Sequence, residues 1–310
     1  MTVEKLSYLD LPNCYRLANG TIEVVVTTDV GPRILRYGFG GEENILGEFP
    51  QAVVETGLGQ FKPWGGHRLW VAPEAMPESY APDNSPLEYQ IEASNTIRLM
   101  PPVEPQTMLQ KEMTVELDTE GTGVTIRHKI INHQRRTIAA APWALTIMNG
   151  EGCAILPQEP YRSHDEYLLP ARPLVLWHFT DLCDPRWSIG RKYIRLRADS
   201  GLMEPQKIGI GNKQGWAAYH RRDTLFVKRF AYHEGASYPD YGSNNEVYTA
   251  GTFLEVESLA PMFQLEPGGI AEHVERWYLF RNVSGGETET ALEAAISPLI
   301  EHALPSDVQP

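Results

Sequence analysis

The chain has 310 residues, 42% of them apolar, and a formal net charge of −13. That supplies apolar surface for one large core or two small ones, and the acidic balance, with no basic run longer than Arg135-Arg136 or Arg221-Arg222, argues against a surface that tracks nucleic-acid phosphates. No basic segment leading into an apolar one opens the chain, and no apolar run approaches the roughly 18 residues of a membrane helix, so a soluble, cytoplasmic protein is expected. Cys14, Cys153 and Cys183 are odd in number and outside any metal-ligand spacing, which fits a reducing compartment and buried structural thiols.

Strand signals begin early. Thr21 to Thr27 is rich in β-branched residues and bounded by Asn19-Gly20 and Asp29, and Arg33 to Tyr37 runs into a glycine cluster, so the two predict a hairpin opening a sheet. Between about Pro50 and Pro86 periodicity fades into a long loop rich in Gly, Pro and aromatics, a kind of loop that usually carries function. It contains Trp64-Gly65-Gly66-His67-Arg68-Leu69-Trp70. Strands resume at short intervals through Leu87–Ile91, Thr96–Leu99, Leu109–Leu117 and Gly123–Asn132. Pro142 makes Ile138–Met148 an extended segment rather than a helix. Further strands are expected at Val175–Phe179, Gly215–Tyr219, Thr224–Phe230 and His273–Phe280, with a short peripheral helix at Glu287–Ile296. The pattern predicts one all-β antiparallel domain over 1–304, a large sandwich, followed by a tail at 305–310.

The stretch Gly251 to Gly269 organises the rest. Side chains alternate along a strand, so Phe253, Glu255 and Glu257 share one face while Leu254, Val256 and Ser258 share the other. A wet outer surface and the floor of a polar cleft both fit two carboxylates so placed. In a cleft that excludes water, each carboxylate would raise the other's pKa, as a proton-transfer site requires. In the aromatic loop, His67 is a candidate for proton transfer and Arg68 for gripping hydroxyls or a carboxylate, with a surface histidine and a structural arginine as the plainer alternative. Trp64 and Trp70 are candidates for stacking on a sugar ring, or core residues. His128, level with Val124, Ile126 and Ile130, reads as a core histidine. The segment from Phe230 to Glu246 offers His233, Asp240, Asn244 and Asn245 to a hydroxyl-rich ligand. Phosphate-binding loops, dinucleotide fingerprints, zincin helices and hydrolase elbows are absent, so no cofactor and no metal are expected.

Four segments together resemble the galactose mutarotase-like (aldose 1-epimerase-like) superfamily: Gly31-Pro32-Arg33-Ile34-Leu35 with Asn44-Ile45-Leu46, Gly65-Gly66 with Pro73, Val124–Asn132 continuing to Met148, and Phe253 to Gly269. The resemblance implies a β-supersandwich with a sugar cleft on one concave sheet. It also implies a glutamate base on a late strand before a Leu-x-Pro-Gly turn, here Leu265-Glu266-Pro267-Gly268, and a histidine that protonates the ring oxygen. Carried over, Glu257 is the base, and Glu255 is a substrate ligand or its alternate. The family's histidine falls near Trp143 or Leu145, so His67 is taken as the acid, with Arg68 as a clamp and Trp143 among the substrate contacts. Trp64 stands where hexose-phosphate relatives place an arginine. The activity implied is a sugar epimerase or mutarotase, with a monosaccharide or oligosaccharide as partner. A non-catalytic carbohydrate-binding protein and a polysaccharide lyase or glycoside-processing enzyme are the alternatives, because fold does not fix function.

Overall fold

The computed structural model describes residues 2–303, so the expected tail at 305–310 lies outside the described residues. Two large antiparallel sheets, of 11 and 10 strands, face each other. The first runs from Thr2–Tyr8 at one edge through Arg33–Phe39, His67–Ala72, Ile138–Met148, Phe253–Leu259, Asn245–Ala250 and Gln206–Ile210 to Leu174–Leu176 at the other. The second places Val124–Asn132, Ile270–Phe280 and Thr224–Phe230 at its centre. Alternation sends one side chain in two inward, and Val24, Ile34 and Val256 of the first sheet meet Val115, Ile126 and Trp277 of the second in one buried core. The all-β sandwich expected from the strand spacing is the architecture found.

Several local expectations are corrected. The loop between Pro50 and Pro86 contains His67–Ala72, a central strand paired with Ile138–Met148. Its apolar alternation is masked in sequence because both faces are buried. Gly65 and Gly66 bring the chain into that strand with φ of +88° and +67°, and a Cβ on Gly66 would lie 2.0 Å from the Ile34 carbonyl oxygen. Only glycine permits this approach, and it sets which of His67 and Arg68 points inward. The strand expected at Val175–Phe179 is confined to Leu174–Leu176. The C-terminal helix is longer than expected, Glu289–His302. It is not merely peripheral, since Leu292, Ile296 and Ile300 bury against Trp216, Leu225 and Val227 on the outer face of the second sheet. Cys14 is buried, but Cys153 is partly exposed and Cys183 exposed, so the thiols are not uniformly core residues. Among the described residues, no helix is long and apolar enough to cross a membrane.

Candidate functional site

Glu255 and Glu257 do share a face, the one turned away from the second sheet. Register places Leu145 between Arg68 on one side and Glu257 on the other, and pairs Glu257 with Glu246 and Glu255 with Tyr248. Tyr248 in turn pairs with Lys207. Period-two alternation therefore gathers Arg68, Trp70, Trp143, Glu246, Glu255, Glu257 and Lys207 on one patch of sheet. Segments from Phe49 to Phe61, from Glu74 to Tyr80, and around Trp177 and Phe179 rise over this patch and enclose a hollow of about 540 Å³. Its walls are mainly aromatic: Trp70 packs edge-to-face on Trp143 at 5.4 Å and on Tyr80 at 4.7 Å. A larger depression of about 1060 Å³ runs along Glu43, Arg221 and Arg222, but its charges are spent on one another, with Arg221 2.6 Å from Glu43.

The charged groups of the hollow are arranged in two sets. Arg68 Nη2 donates to Glu255 Oε1 at 3.2 Å, while the guanidinium lies 4.6 Å from the centre of the Trp70 ring. Arg68 Nε and Nη1 are buried and have no hydrogen-bond partner among the described residues. Burial pushes the Glu255 carboxyl up to about 7; Arg68 opposes the rise and Glu257 adds to it. In the second set, Glu257 is fully enclosed behind Trp143 and Lys207. The Trp143 indole N–H donates to Glu257 Oε2 at 2.7 Å and Lys207 Nζ donates to the same oxygen at 3.3 Å, leaving Oε1 without a partner among the described residues. Lys207 also lies 2.7 Å from Glu246 Oε2, and its ammonium sits 4.6 Å from the rings of both Trp143 and Trp177. Burial alone would lower the Lys207 pKa, but Glu257 and Glu246 outweigh it and the ammonium is held above its ordinary range. Glu246 is shifted well upward, by burial first, against the pull of Lys207.

Arg68, Trp70, Trp143 and Glu255 thus line one hollow, with Glu257 immediately behind its wall. The expectation that His67 stands across the hollow from Glu257 is corrected. Adjacent residues of a strand point to opposite faces, so with Arg68 outward His67 must point inward. Its Nε2 lies 2.7 Å from His128 Nε2 and its Nδ1 2.9 Å from Thr146 Oγ1, between the sheets. Burial holds the His67, His128 and His273 imidazoles below their ordinary pKa, His273 at about 3. Trp64 also leaves the hollow: it packs against the cluster of Leu11, Val25 and Leu35. His233 is exposed and Asp240 occupies a positive-φ turn. The Asn244 and Asn245 amides brace the backbone, Asn244 bonding Asn212 and Asn245 Nδ2 donating to the Glu257 carbonyl at 2.7 Å. The Asn244 and Asn245 amides are thus engaged by long-range bonds to the main chain rather than presented to the hollow. Sequence reasoning missed Lys207 and Glu246. Lys207 stands opposite in phase to Ile208 and Ile210, a short alternation that would have marked it as facing away from the core.

No protein-family model matches the chain, and no curated protein matches it in sequence. Solved structures do match in three dimensions. A galactose mutarotase-like protein from Lactobacillus casei superposes with a TM-score of 0.57 at 9% identity, over 86% of this chain and 100% of that one. One from Clostridium acetobutylicum gives 0.52 at 12% identity, over 90% and 98%. A galactose mutarotase related enzyme from Lactobacillus acidophilus gives 0.51 at 10% identity, over 87% and 98%. The architecture is a β-supersandwich with its hollow on one sheet. More particularly, it is the galactose mutarotase-like fold, in agreement with the resemblance carried by the sequence.

Proposed function

We propose that the aromatic hollow binds a sugar and that Glu255 moves the proton that opens and recloses its hemiacetal. The observation that carries this reading is a buried carboxyl, Glu255, lining an aromatic hollow that also holds Lys207, with Arg68 3.2 Å away; burial pushes that carboxyl up to about 7. A group so poised is present in both protonation states near neutrality, which suits general acid–base work. Aromatic rings take the C–H face of a pyranose, while Arg68, with two unpartnered nitrogens, donates to hydroxyls. In its basic form Glu255 takes the proton of the anomeric hydroxyl. The C1–O5 bond breaks as C1=O1 forms, and negative charge building on O5 is met by the neighbouring guanidinium or ammonium. After rotation about C1–C2, O5 attacks the opposite face of C1, the C1=O1 π bond returns to O1, and Glu255 gives its proton back to O1 to yield the other anomer. Glu257, the base implied by family resemblance, serves in this reading to hold Trp143 and Lys207 in place.

A second reading, a carbohydrate-binding protein without catalysis, draws support from the absence of any histidine among the described residues lining the hollow. Anomer exchange followed by NMR over a panel of aldoses separates the two. Acceleration by the protein, lost in Glu255→Gln, supports the reaction; saturable sugar binding without acceleration favours the binding protein; neither outcome in any sugar ends both.

A further inference from the structure

We propose that His67, His128 and Glu275 form a binding site for a zinc-type divalent ion that staples the two sheets together. His67 comes from a strand of the first sheet, His128 and Glu275 from paired strands of the second. Their candidate ligand atoms all lie within 4.8 Å of one another and all three side chains are buried. The two Nε2 atoms are 2.7 Å apart and His67 Nε2 is 3.8 Å from Glu275 Oε2. An ion at 2.0–2.1 Å from each ligand in tetrahedral array needs separations of roughly 3.3 Å, so each of those two pairs is about half an ångström away, while the His128–Glu275 pair, within 4.8 Å, would close by up to about 1.5 Å to seat it.

The outer contacts orient the ligands. His128 Nδ1 lies 3.1 Å from the His273 carbonyl oxygen, which can only accept, so that nitrogen carries the proton and Nε2 presents its lone pair. His67 Nδ1 faces the Thr146 hydroxyl, which donates or accepts, so either tautomer of His67 is served. Without an ion, the His67 Nε2 proton bridges to His128; with one, it moves to Nδ1. Glu275 is fixed by Lys228 Nζ at 2.8 Å and Ser258 Oγ on Oε1, and by the Trp277 indole at 2.9 Å on Oε2. Two imidazoles and one carboxylate suit zinc rather than magnesium or calcium, which take oxygen ligands. Lys228 opposes the charge of the ion, so affinity is expected below that of a site lacking it. Sequence spacing gives no hint, because the histidines are 61 residues apart and meet only when the sheets close.

The test uses the full chain, stripped with chelator and dialysed against zinc chloride. About one tightly held zinc per chain by mass spectrometry is expected, with a melting temperature raised by zinc and not by magnesium. Tetrahedral cobalt absorption should appear on cobalt loading. His128→Gln should abolish the stoichiometric metal, and His164→Gln, at an exposed histidine, should not. Because a core substitution risks unfolding, the wild-type count decides on its own: substoichiometric zinc with an unmoved melting temperature overturns the proposal. An undiminished count in a folded His128→Gln chain overturns it equally.

Discussion

Replacing Glu255 by Gln probes the electrostatics of the hollow without opening a cavity, since the amide keeps an acceptor for Arg68 Nη2, now 3.2 Å from the carboxyl. Burial, with Glu257 adding and Arg68 opposing, moves the carboxyl from 4.5 to about 7. The folded chain therefore keeps a proton that the unfolded chain has already released, and this group's contribution to stability is present below about pH 4.5 and lost as pH rises to about 7. A displacement of that size converts to about 3 kcal/mol at 1.36 kcal/mol per pH unit. Glu246 is also shifted upward, but it is present in both chains and cancels to first order in their difference. Urea denaturation at pH 4.5 and pH 8 on wild type and Glu255→Gln reads the effect. The wild type should lose stability relative to the variant by up to that amount across the interval. A wild-type-minus-variant difference that is the same at both pH values refutes the reasoning.

Lys207→Met should leave Glu257 and Glu246 enclosed without their shared cation, at a cost of roughly 3–5 kcal/mol in denaturant unfolding. Trp143→Phe keeps a ring but removes the N–H that reaches Glu257 Oε2. A loss of about 1–3 kcal/mol by the same measurement, with weaker sugar binding by titration calorimetry, is expected. Gly66→Ala sets a Cβ 2.0 Å from the Ile34 carbonyl oxygen at a positive φ, so the variant should melt well below wild type in calorimetry.

The parts of this site legible in the sequence are those governed by a single local rule. Alternation along Phe253–Leu259 is enough to put Glu255 and Glu257 on one face, and the structure agrees. The same rule, applied to His67-Arg68, would have separated them, but glycines and aromatics make the segment read as a loop. Two features lie beyond any local pattern. One is the register that brings Lys207 to Glu257 across the Asn245–Ala250 strand. The other is the pair of excursions, Phe49 to Phe61 and Glu74 to Tyr80, that rise over the hollow. Within the polar run from His233 to Asn245, composition cannot reveal that the Asn244 and Asn245 amides already bond Asn212 and the Glu257 carbonyl.

The strand His67–Ala72 has polar chemistry on both sides, and this ties the two candidate sites to one structural cause. An outward arginine faces a wall of aromatic rings and a carboxyl near neutrality; the inward histidine beside it faces another imidazole and a fully buried Glu275. A frame shift of one residue would exchange them, placing a guanidinium between the sheets and an imidazole beside Glu255. The close approach at Gly65-Gly66 fixes the phase by letting the chain bond Gly47 and Ile147 as it enters the sheet. On this argument the glycine pair, which contributes no side chain to either cluster, determines both. Any substitution there that still folds should disturb the pH dependence of Glu255 and the geometry of the histidine pair together.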